Sequence, residues 1–152
     1  AALLYALSQP DEAWVQYFNF DAVPLPDHLL FKDPMLAGLA AKRTFRGGVL
    51  RLPPNTVYNW HTDDLRKCSI NMLLRGGPSH CLFAAGPFGL NMRVQELDYA
   101  PDTYYVFNTQ VPHMVVNMGE PRYMFTLEFL GKDKDVTFDE LCGELATTRT
   151  TP

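Results

Sequence analysis

The chain has 152 residues, a net charge of −4, a sequence pI near 5.5 and a hydrophobic fraction of 47%. This length favours one domain over residues 1–152 with a sizeable core. The acidic balance disfavours nucleic acid and anionic membranes as partners, and no segment approaches the length of a transmembrane helix. The composition gives no indication of the oligomeric state.

The cysteines are three in number, and none forms a C-x-x-C pair. Cys68, Cys81 and Cys142 therefore predict neither a disulfide framework nor a structural zinc site. Free thiols are typical of a reducing compartment, so we expect a cytoplasmic protein.

Residues 1–43 predict a helical cover packed against a sheet. Pro10-Asp11-Glu12 favours a helix that continues through Trp14 to Phe18, because acidic residues stabilise the first turn. A second helix is expected to start at Asp33-Pro34-Met35, with Asp33 as the N-cap and proline in the first turn.

From Thr44 onward, short runs of β-forming residues alternate with Gly, Pro, Asn and Asp. Eight strands at this spacing predict a mainly β fold, a double-stranded β-helix or cupin-like jelly roll, with its core at about 44–130. The expected strands lie near 44–52, 56–61, 67–75, 79–85, 91–98, 103–108, 113–118 and 123–130. A capping box of Thr137 and Glu140 predicts a short C-terminal helix at about 137–147.

The segment 57–76 places His61 and Asp63 two residues apart at the end of the second predicted strand. A third ligand is available in His113, at the start of the seventh strand. Two histidines and one carboxylate form the facial triad of non-haem Fe(II) oxygenases. In a jelly roll, the second and seventh strands are neighbours and the eighth pairs with the first, so the triad and Arg122 can meet. Each of these residues taken alone also fits an ordinary structural role in a core or a turn.

The pattern H-T-D, then His113, then Arg122 resembles the Fe(II)/2-oxoglutarate-dependent dioxygenase superfamily over about residues 50–130. Within it, F-N-T-Q-V-P-H-M-V-V-N-M-G-E-P-R-Y-M-F-T-L-E resembles the aspartyl/asparaginyl β-hydroxylase and prolyl hydroxylase branch, and Y-x-x-H-x-D resembles prolyl-hydroxylase-like members. The resemblance implies Fe(II), 2-oxoglutarate and O2 as cofactor and cosubstrates. It also implies hydroxylation of a substrate coupled to decarboxylation of 2-oxoglutarate to succinate.

The same resemblance assigns Arg122 to the far carboxylate of 2-oxoglutarate, which a planar guanidinium binds well. Some members have a basic residue on the third strand for this cosubstrate, and this chain offers Ser69 and Asn71 there. The short connections between strands predict an open mouth that suits an amino acid, another small molecule or a peptide or protein side chain.

Three polar residues are candidates for binding this substrate. Asn59 is expected on the face of His61, Asn117 on the face of His113, and Arg66 beside the metal, where it would meet an acidic substrate. Two other functions fit the sequence: a cupin-like metalloenzyme without 2-oxoglutarate, and a non-catalytic barrel that binds a small acid or a protein.

Overall fold

The computed structural model describes residues 1–87 and 89–148. Within them the chain forms ten strands, and the eight predicted from the sequence are all present, within a few residues of the expected bounds. The strands are β1 (Val15–Gln16), β2 (Asp21–Pro24), β3 (Phe45–Leu52), β4 (Thr56–His61), β5 (Ser69–Arg75), β6 (Ser79–Ala85), β7 (Arg93–Glu96), β8 (Tyr105–Phe107), β9 (His113–Asn117) and β10 (Arg122–Phe129).

The strands form two antiparallel sheets that face each other. The larger sheet has the order β1-β2-β3-β10-β5-β8, and the smaller has the order β4-β9-β6-β7. As expected, the second and seventh core strands (β4 and β9) are neighbours, and the eighth (β10) pairs with the first (β3). This strand order confirms the double-stranded β-helix, or jelly roll.

The N-terminal region contains three short helices: α1 (Ala2–Ser8), α2 (Asp27–Leu30) and α3 (Pro34–Ala40). The predicted start of α3 is confirmed, because Asp33 Oδ1 accepts hydrogen bonds from the backbone N–H of Met35 (2.9 Å) and of Leu36 (3.4 Å). This N-cap satisfies two donors that the first helical turn leaves free.

The helix expected to continue through Trp14 to Phe18 is wrong. A single 3-10 turn, Asp11–Ala13, is followed by β1, which pairs with β2 and extends the larger sheet past β3. Val15, Tyr17 and Phe18 are β-branched or aromatic, and such residues favour a strand that can pair with a neighbour. The cover is therefore part helix and part hairpin.

The larger sheet is covered by the N-terminal helices on one face and by the smaller sheet on the other, as the side chains of β10 show. Successive side chains of a strand point to opposite faces. Tyr123, Phe125, Leu127 and Phe129 belong to the hydrophobic core that includes side chains of the N-terminal helices. Arg122, Met124 and Thr126 alternate with them and face the smaller sheet.

The C-terminal helix α4 (Phe138–Thr148) begins at the predicted capping box. The backbone N–H of Thr137 donates to Glu140 Oε2 (2.9 Å), and the N–H of Glu140 donates to Thr137 Oγ1 (3.3 Å). Arg43 bonds Asp133 and Glu144, which ties α4 to the end of the helical cover. No helix in the described part of the chain has the length and apolarity needed to cross a bilayer.

Candidate metal centre

A bulge in β4 sets the position of the first histidine. Tyr58 pairs with Val115 and His61 pairs with His113, so β4 has one residue more than β9 between these two pairs. In a regular ladder Trp60 would lie opposite His113, and His61 would point to the other face. The bulge instead brings the two imidazole rings together, with their centroids 4.3 Å apart.

Backbone carbonyls fix the orientation of both rings. His61 Nδ1 lies 2.6 Å from the carbonyl oxygen of Asn59, and His113 Nδ1 lies 2.8 Å from that of Val111. Because a carbonyl only accepts, each Nδ1 carries the ring proton in the neutral imidazole. Each Nε2 is then left with a lone pair, the arrangement typical of metal-binding histidines.

Asp63 follows β4 in a loop, where its backbone N–H donates to the carbonyl of Thr109 (3.0 Å). Its Oδ1 lies 3.7 Å from His61 Nε2 and 3.5 Å from His113 Nε2. One ligand atom from each of the three residues lies within 4.8 Å of the others. Metal bonds of about 2.1 Å at right angles place donor atoms about 3 Å apart, so shifts of about 1 Å would close this group around one ion.

The ionisation of these groups suits metal binding. Burial lowers the pKa of His61 and outweighs the hydrogen bond to Asn59, which favours the neutral ring that a metal needs. Burial raises the pKa of Asp63, but the adjacent His113 and the hydrogen-bonded, charged Arg66 outweigh it and hold that pKa below its usual value. The carboxylate therefore stays ionised in mild acid.

Arg66 lies beside the metal centre, as expected, but its contacts are internal. Its Nε and Nη2 lie 2.8 Å and 2.7 Å from Asp63 Oδ2. Its Nη1 donates to Thr126 Oγ1 (2.9 Å) and lies 3.4 Å from the carbonyl of Leu127. All three guanidinium nitrogens are engaged and two of them support the Asp63 carboxylate, and a contact of Arg66 with an acidic substrate stays a prediction.

Arg122 lies on the inner face of β10 and is only 4% exposed. Its Nη2 donates to the hydroxyl of Tyr99 (3.2 Å), its Nη atoms approach the sulfur of Met124 (3.8 and 3.9 Å), and its buried Nε has no hydrogen-bond partner. No carboxylate of the described residues lies within ion-pair distance of this guanidinium. A buried, unpaired charge is costly, which favours an anionic partner for this guanidinium.

Ser69 and Asn71 lie on the same face of β5, which pairs with β10. Ser69 is fully buried, and its hydroxyl oxygen has no hydrogen-bond partner in the described structure. Asn71 Oδ1 accepts a hydrogen bond from Thr126 Oγ1 (2.6 Å). Both side chains face the interior next to the Arg122 strand, and their contact with a cosubstrate stays a prediction.

The two other expected substrate contacts have different surroundings. Asn117 is at the far end of β9 from His113, and its amide donates to the carbonyls of Leu52, Pro53 and Glu120. These bonds link the β3–β4 and β9–β10 connections and give Asn117 a structural role, and a substrate contact of its side chain stays a prediction. The β4 bulge removes the reason for placing Asn59 on the His61 face, and a substrate contact of this exposed side chain stays a prediction.

Two residues of the site were missed in the sequence. Thr126 occupies an inner position of β10, and the alternation of that strand is the signal that could have identified it. Tyr99 lies in the connection between β7 and β8, where no periodic pattern indicates which way a side chain points.

No protein-family model matches this sequence, and no curated protein sequence matches it. Its structure, however, is similar to solved structures. A prolyl-4-hydroxylase from Pseudomonas putida has a TM-score of 0.55 and 19% identity, covering 78% of this chain and 77% of that one. An oxidoreductase of the 2OG-Fe(II) oxygenase family from Burkholderia pseudomallei has a TM-score of 0.59 and 14% identity, covering 90% and 80%.

At these identities the similarity establishes the fold, which is the jelly roll of these oxygenases. The Photorhabdus luminescens protein plu4264 has the same general architecture, with a TM-score of 0.50, 13% identity and coverage of 91% and 95%. The aspartyl/asparaginyl β-hydroxylase branch is not represented among these proteins, and that part of the sequence resemblance stays a prediction.

Proposed function

We propose that this protein is an Fe(II)- and 2-oxoglutarate-dependent oxygenase that hydroxylates an amino-acid or peptidyl side chain. The observation that carries the proposal is the buried, unpaired guanidinium of Arg122 inside the same barrel as the His61–Asp63–His113 group. The metal group alone fits many enzymes. A buried guanidinium inside the same barrel fits a cosubstrate that has a second carboxylate.

The donor set fits ferrous iron. His61 Nε2, His113 Nε2 and Asp63 Oδ1 would hold the ion on one face, and this two-histidine, one-carboxylate set is typical of non-haem Fe(II) sites with open positions. When bound, Fe(II) with 2-oxoglutarate and O2 supplies the oxidative decarboxylation to succinate and CO2 that hydroxylates a substrate C–H bond.

The donors of Arg122 and Tyr99 fit the far carboxylate of 2-oxoglutarate. A guanidinium offers two parallel donors to such a group, and the unpartnered Nε is one of them. The Tyr99 hydroxyl, 3.2 Å from Arg122, would add a third donor. Burial raises the pKa of Tyr99, so its hydroxyl keeps its proton and remains a donor at neutral pH.

Aromatic side chains enclose the metal centre on one side. Phe83 stacks against His113, with ring centroids 5.7 Å apart, and Phe107 contacts Phe83 edge-on at 5.2 Å. The contact with Phe83 limits the movement of the His113 ring. The three cysteines are free, and we propose that the protein works in a reducing, cytoplasmic environment that keeps iron ferrous.

The test is succinate release by purified protein with Fe(II), ascorbate, O2 and 2-oxoglutarate, first alone and then with amino acids and peptides. We expect slow succinate formation without substrate and faster formation with a suitable side chain. Arg122→Ala should abolish it, whereas Arg75→Ala, at an exposed position of β5, should leave it unchanged. Metal-dependent activity that survives Arg122→Ala would indicate a cupin-like metalloenzyme instead. Protein that binds neither iron nor 2-oxoglutarate would indicate a non-catalytic barrel.

A further inference from the structure

Four side chains form a continuous chain from the metal group to the interior of the larger sheet. Asp63 Oδ2 accepts from Arg66 Nε (2.8 Å), Arg66 Nη1 donates to Thr126 Oγ1 (2.9 Å), and Thr126 Oγ1 donates to Asn71 Oδ1 (2.6 Å). This chain joins the loop after β4 to two strands of the opposite sheet, β10 and β5. Arg66 is its central member, since it contacts both the metal-binding carboxylate and β10.

Arg66 fixes the first direction in this chain, because a guanidinium can only donate and Thr126 therefore accepts from it. Thr126 then gives its own hydroxyl proton to Asn71 Oδ1 (2.6 Å), so the carbonyl oxygen of Asn71 faces Thr126. The amide NH2 of Asn71 is then left to donate elsewhere, as binding an anionic cosubstrate requires.

The contacts of Arg66 also determine which carboxylate oxygen of Asp63 is free to bind a metal ion. Nε and Nη2 both bind Oδ2, at 2.8 Å and 2.7 Å, while Oδ1 faces the two imidazole Nε2 atoms at 3.5 Å and 3.7 Å. Because Oδ2 is held by two charge-assisted contacts, Asp63 can offer a metal only Oδ1. A one-oxygen ligand leaves one more coordination position free than a carboxylate that binds through both oxygens.

We propose that Arg66 is a positioning residue that keeps Asp63 a one-oxygen metal ligand and, through Thr126, orients the Asn71 amide toward the cosubstrate. This inference rests on the proposed function and assigns the residue a role in it. In this role Arg66 acts through Asp63 and Thr126.

The loop that carries Arg66 is held independently of its guanidinium. The carbonyl of Arg66 accepts from Thr109 Oγ1 (2.6 Å) and from Gln110 Nε2 (2.9 Å), and Gln110 Nε2 also donates to the carbonyl of Asp63 (2.9 Å). Replacing the Arg66 side chain therefore keeps these backbone contacts. Variants at this position should fold, so that a change at the metal can be distinguished from a collapse of the loop.

The experiment compares the unmutated protein with Arg66→Gln, Arg66→Lys and Thr126→Val. Mn(II) affinity is measured by calorimetry, the visible spectrum is recorded with Co(II), and 2-oxoglutarate affinity is measured on the Mn(II)-loaded proteins without O2. Lys67→Gln is the matched control, because the Lys67 side chain is half-exposed and its ion-pair contact, to Asp135 at 3.8 Å, lies outside this chain.

Arg66→Gln is expected to weaken Mn(II) binding by about 10- to 100-fold, the usual effect of losing a partner that orients a metal ligand. Its Co(II) spectrum should change in shape and intensity, since the coordination number changes. Arg66→Lys, which keeps one donor for Oδ2, should recover part of the Mn(II) affinity. Thr126→Val keeps the Asp63–Arg66 pair, so it should retain Mn(II) affinity but weaken 2-oxoglutarate binding several-fold.

Mn(II) affinity and a Co(II) spectrum of Arg66→Gln equal to those of Lys67→Gln would overturn the proposal. So would a Thr126→Val protein that binds 2-oxoglutarate as tightly as the unmutated one. Should Arg66→Gln fail to fold, the Arg66→Lys and Thr126→Val results decide the question. Failure of the unmutated protein to bind Mn(II) would overturn the proposed function itself, and is thereby distinguished from failure of this inference.

Discussion

His61, the last residue of β4, and His113, the first residue of β9, are direct cross-strand partners in an antiparallel pair. The distance between the two imidazoles is therefore set by backbone pairing within one sheet. A sheet holds such a pair more rigidly than two loops would, since the ladder fixes both backbones. Asp63 is the loop-borne member of the group, and it is the one that needs an additional support such as Arg66.

Removing one imidazole should remove metal binding. We expect His113→Ala to lower Mn(II) affinity by at least about 100-fold, because two remaining donors rarely hold a transition metal. Calorimetry on the metal-free protein measures this. His28→Ala is the control, since His28 is exposed on α2 and distant in the sequence from the three ligands. Equal Mn(II) affinity of the two variants would exclude the metal centre described here.

Substitutions of Arg122 or of its neighbour Tyr99 should weaken 2-oxoglutarate binding and leave the Mn(II) affinity unchanged. A hydrogen bond to a charged group contributes about 1.5–3 kcal/mol, or roughly ten- to hundredfold in affinity. We therefore expect Tyr99→Phe and Arg122→Lys each to raise the KM for 2-oxoglutarate by about tenfold or more, because lysine cannot bind a carboxylate through two parallel donors. Mn(II) affinity should stay within about twofold in both variants. An unchanged KM in Arg122→Lys would place the cosubstrate elsewhere.

The stability of the metal-free protein should fall in mild acid. The pKa of His61 is lowered from its ordinary value of 6.5, so between the folded pKa and 6.5 the unfolded chain binds more protons than the folded one. The contribution of His61 to the free energy of unfolding is therefore complete above about pH 6.5. It is lost as the pH falls through the pKa of His61 in the folded protein. The lowered pKa of Asp63 acts in the same direction at more acidic pH.

Urea unfolding at pH 7.5 and pH 5.5 measures this effect. We expect the unmutated protein to lose more unfolding free energy between these values than His61→Gln, whose side chain does not titrate. Identical losses in the two proteins would show that His61 ionises alike in the folded and unfolded chains.

Asn117 should contribute to stability and leave the metal centre unchanged. Replacing it with alanine leaves three carbonyl oxygens, at the β3–β4 and β9–β10 connections, without their side-chain donor, which we expect to cost about 1–3 kcal/mol. Denaturant unfolding gives this value, and the Mn(II) affinity of the variant should match that of the unmutated protein. A large loss of Mn(II) affinity at full stability would return Asn117 to the functional site.

The eight core strands and the three metal-group residues could be predicted because their signals are local and strong. Alternating β-forming residues between Gly and Pro turns define the strands, and the H-x-D spacing marks the ligands. Jelly-roll connectivity then makes β4 and β9 neighbours, and the bulge in β4 completes the approach of His61 to His113. The N-cap at Asp33 and the capping box at Thr137 could also be predicted from the sequence, since each depends on residues only a few positions apart.

What the sequence did not reveal depends on contacts between distant segments. The bulge between Tyr58 and His61 is not marked in the sequence by a glycine. It removes the reason for placing Asn59 on the same face as His61. The internal contacts of Arg66 include Thr126, which lies 60 residues further along the chain on β10. The strand at Val15–Gln16 forms because a partner strand is available, and neither periodicity nor propensity over so few residues identifies such an edge.

The two-sided character of β10 restricts how this protein can vary. Its odd-numbered side chains fill the core under the helices, and its even-numbered ones include Arg122 and Thr126. Inserting or deleting a single residue in this strand would exchange the two sets, which would bury a guanidinium in the core and remove it from the space between the sheets. Related chains should therefore differ in length at the connections between strands, while the spacing within β10 remains constant.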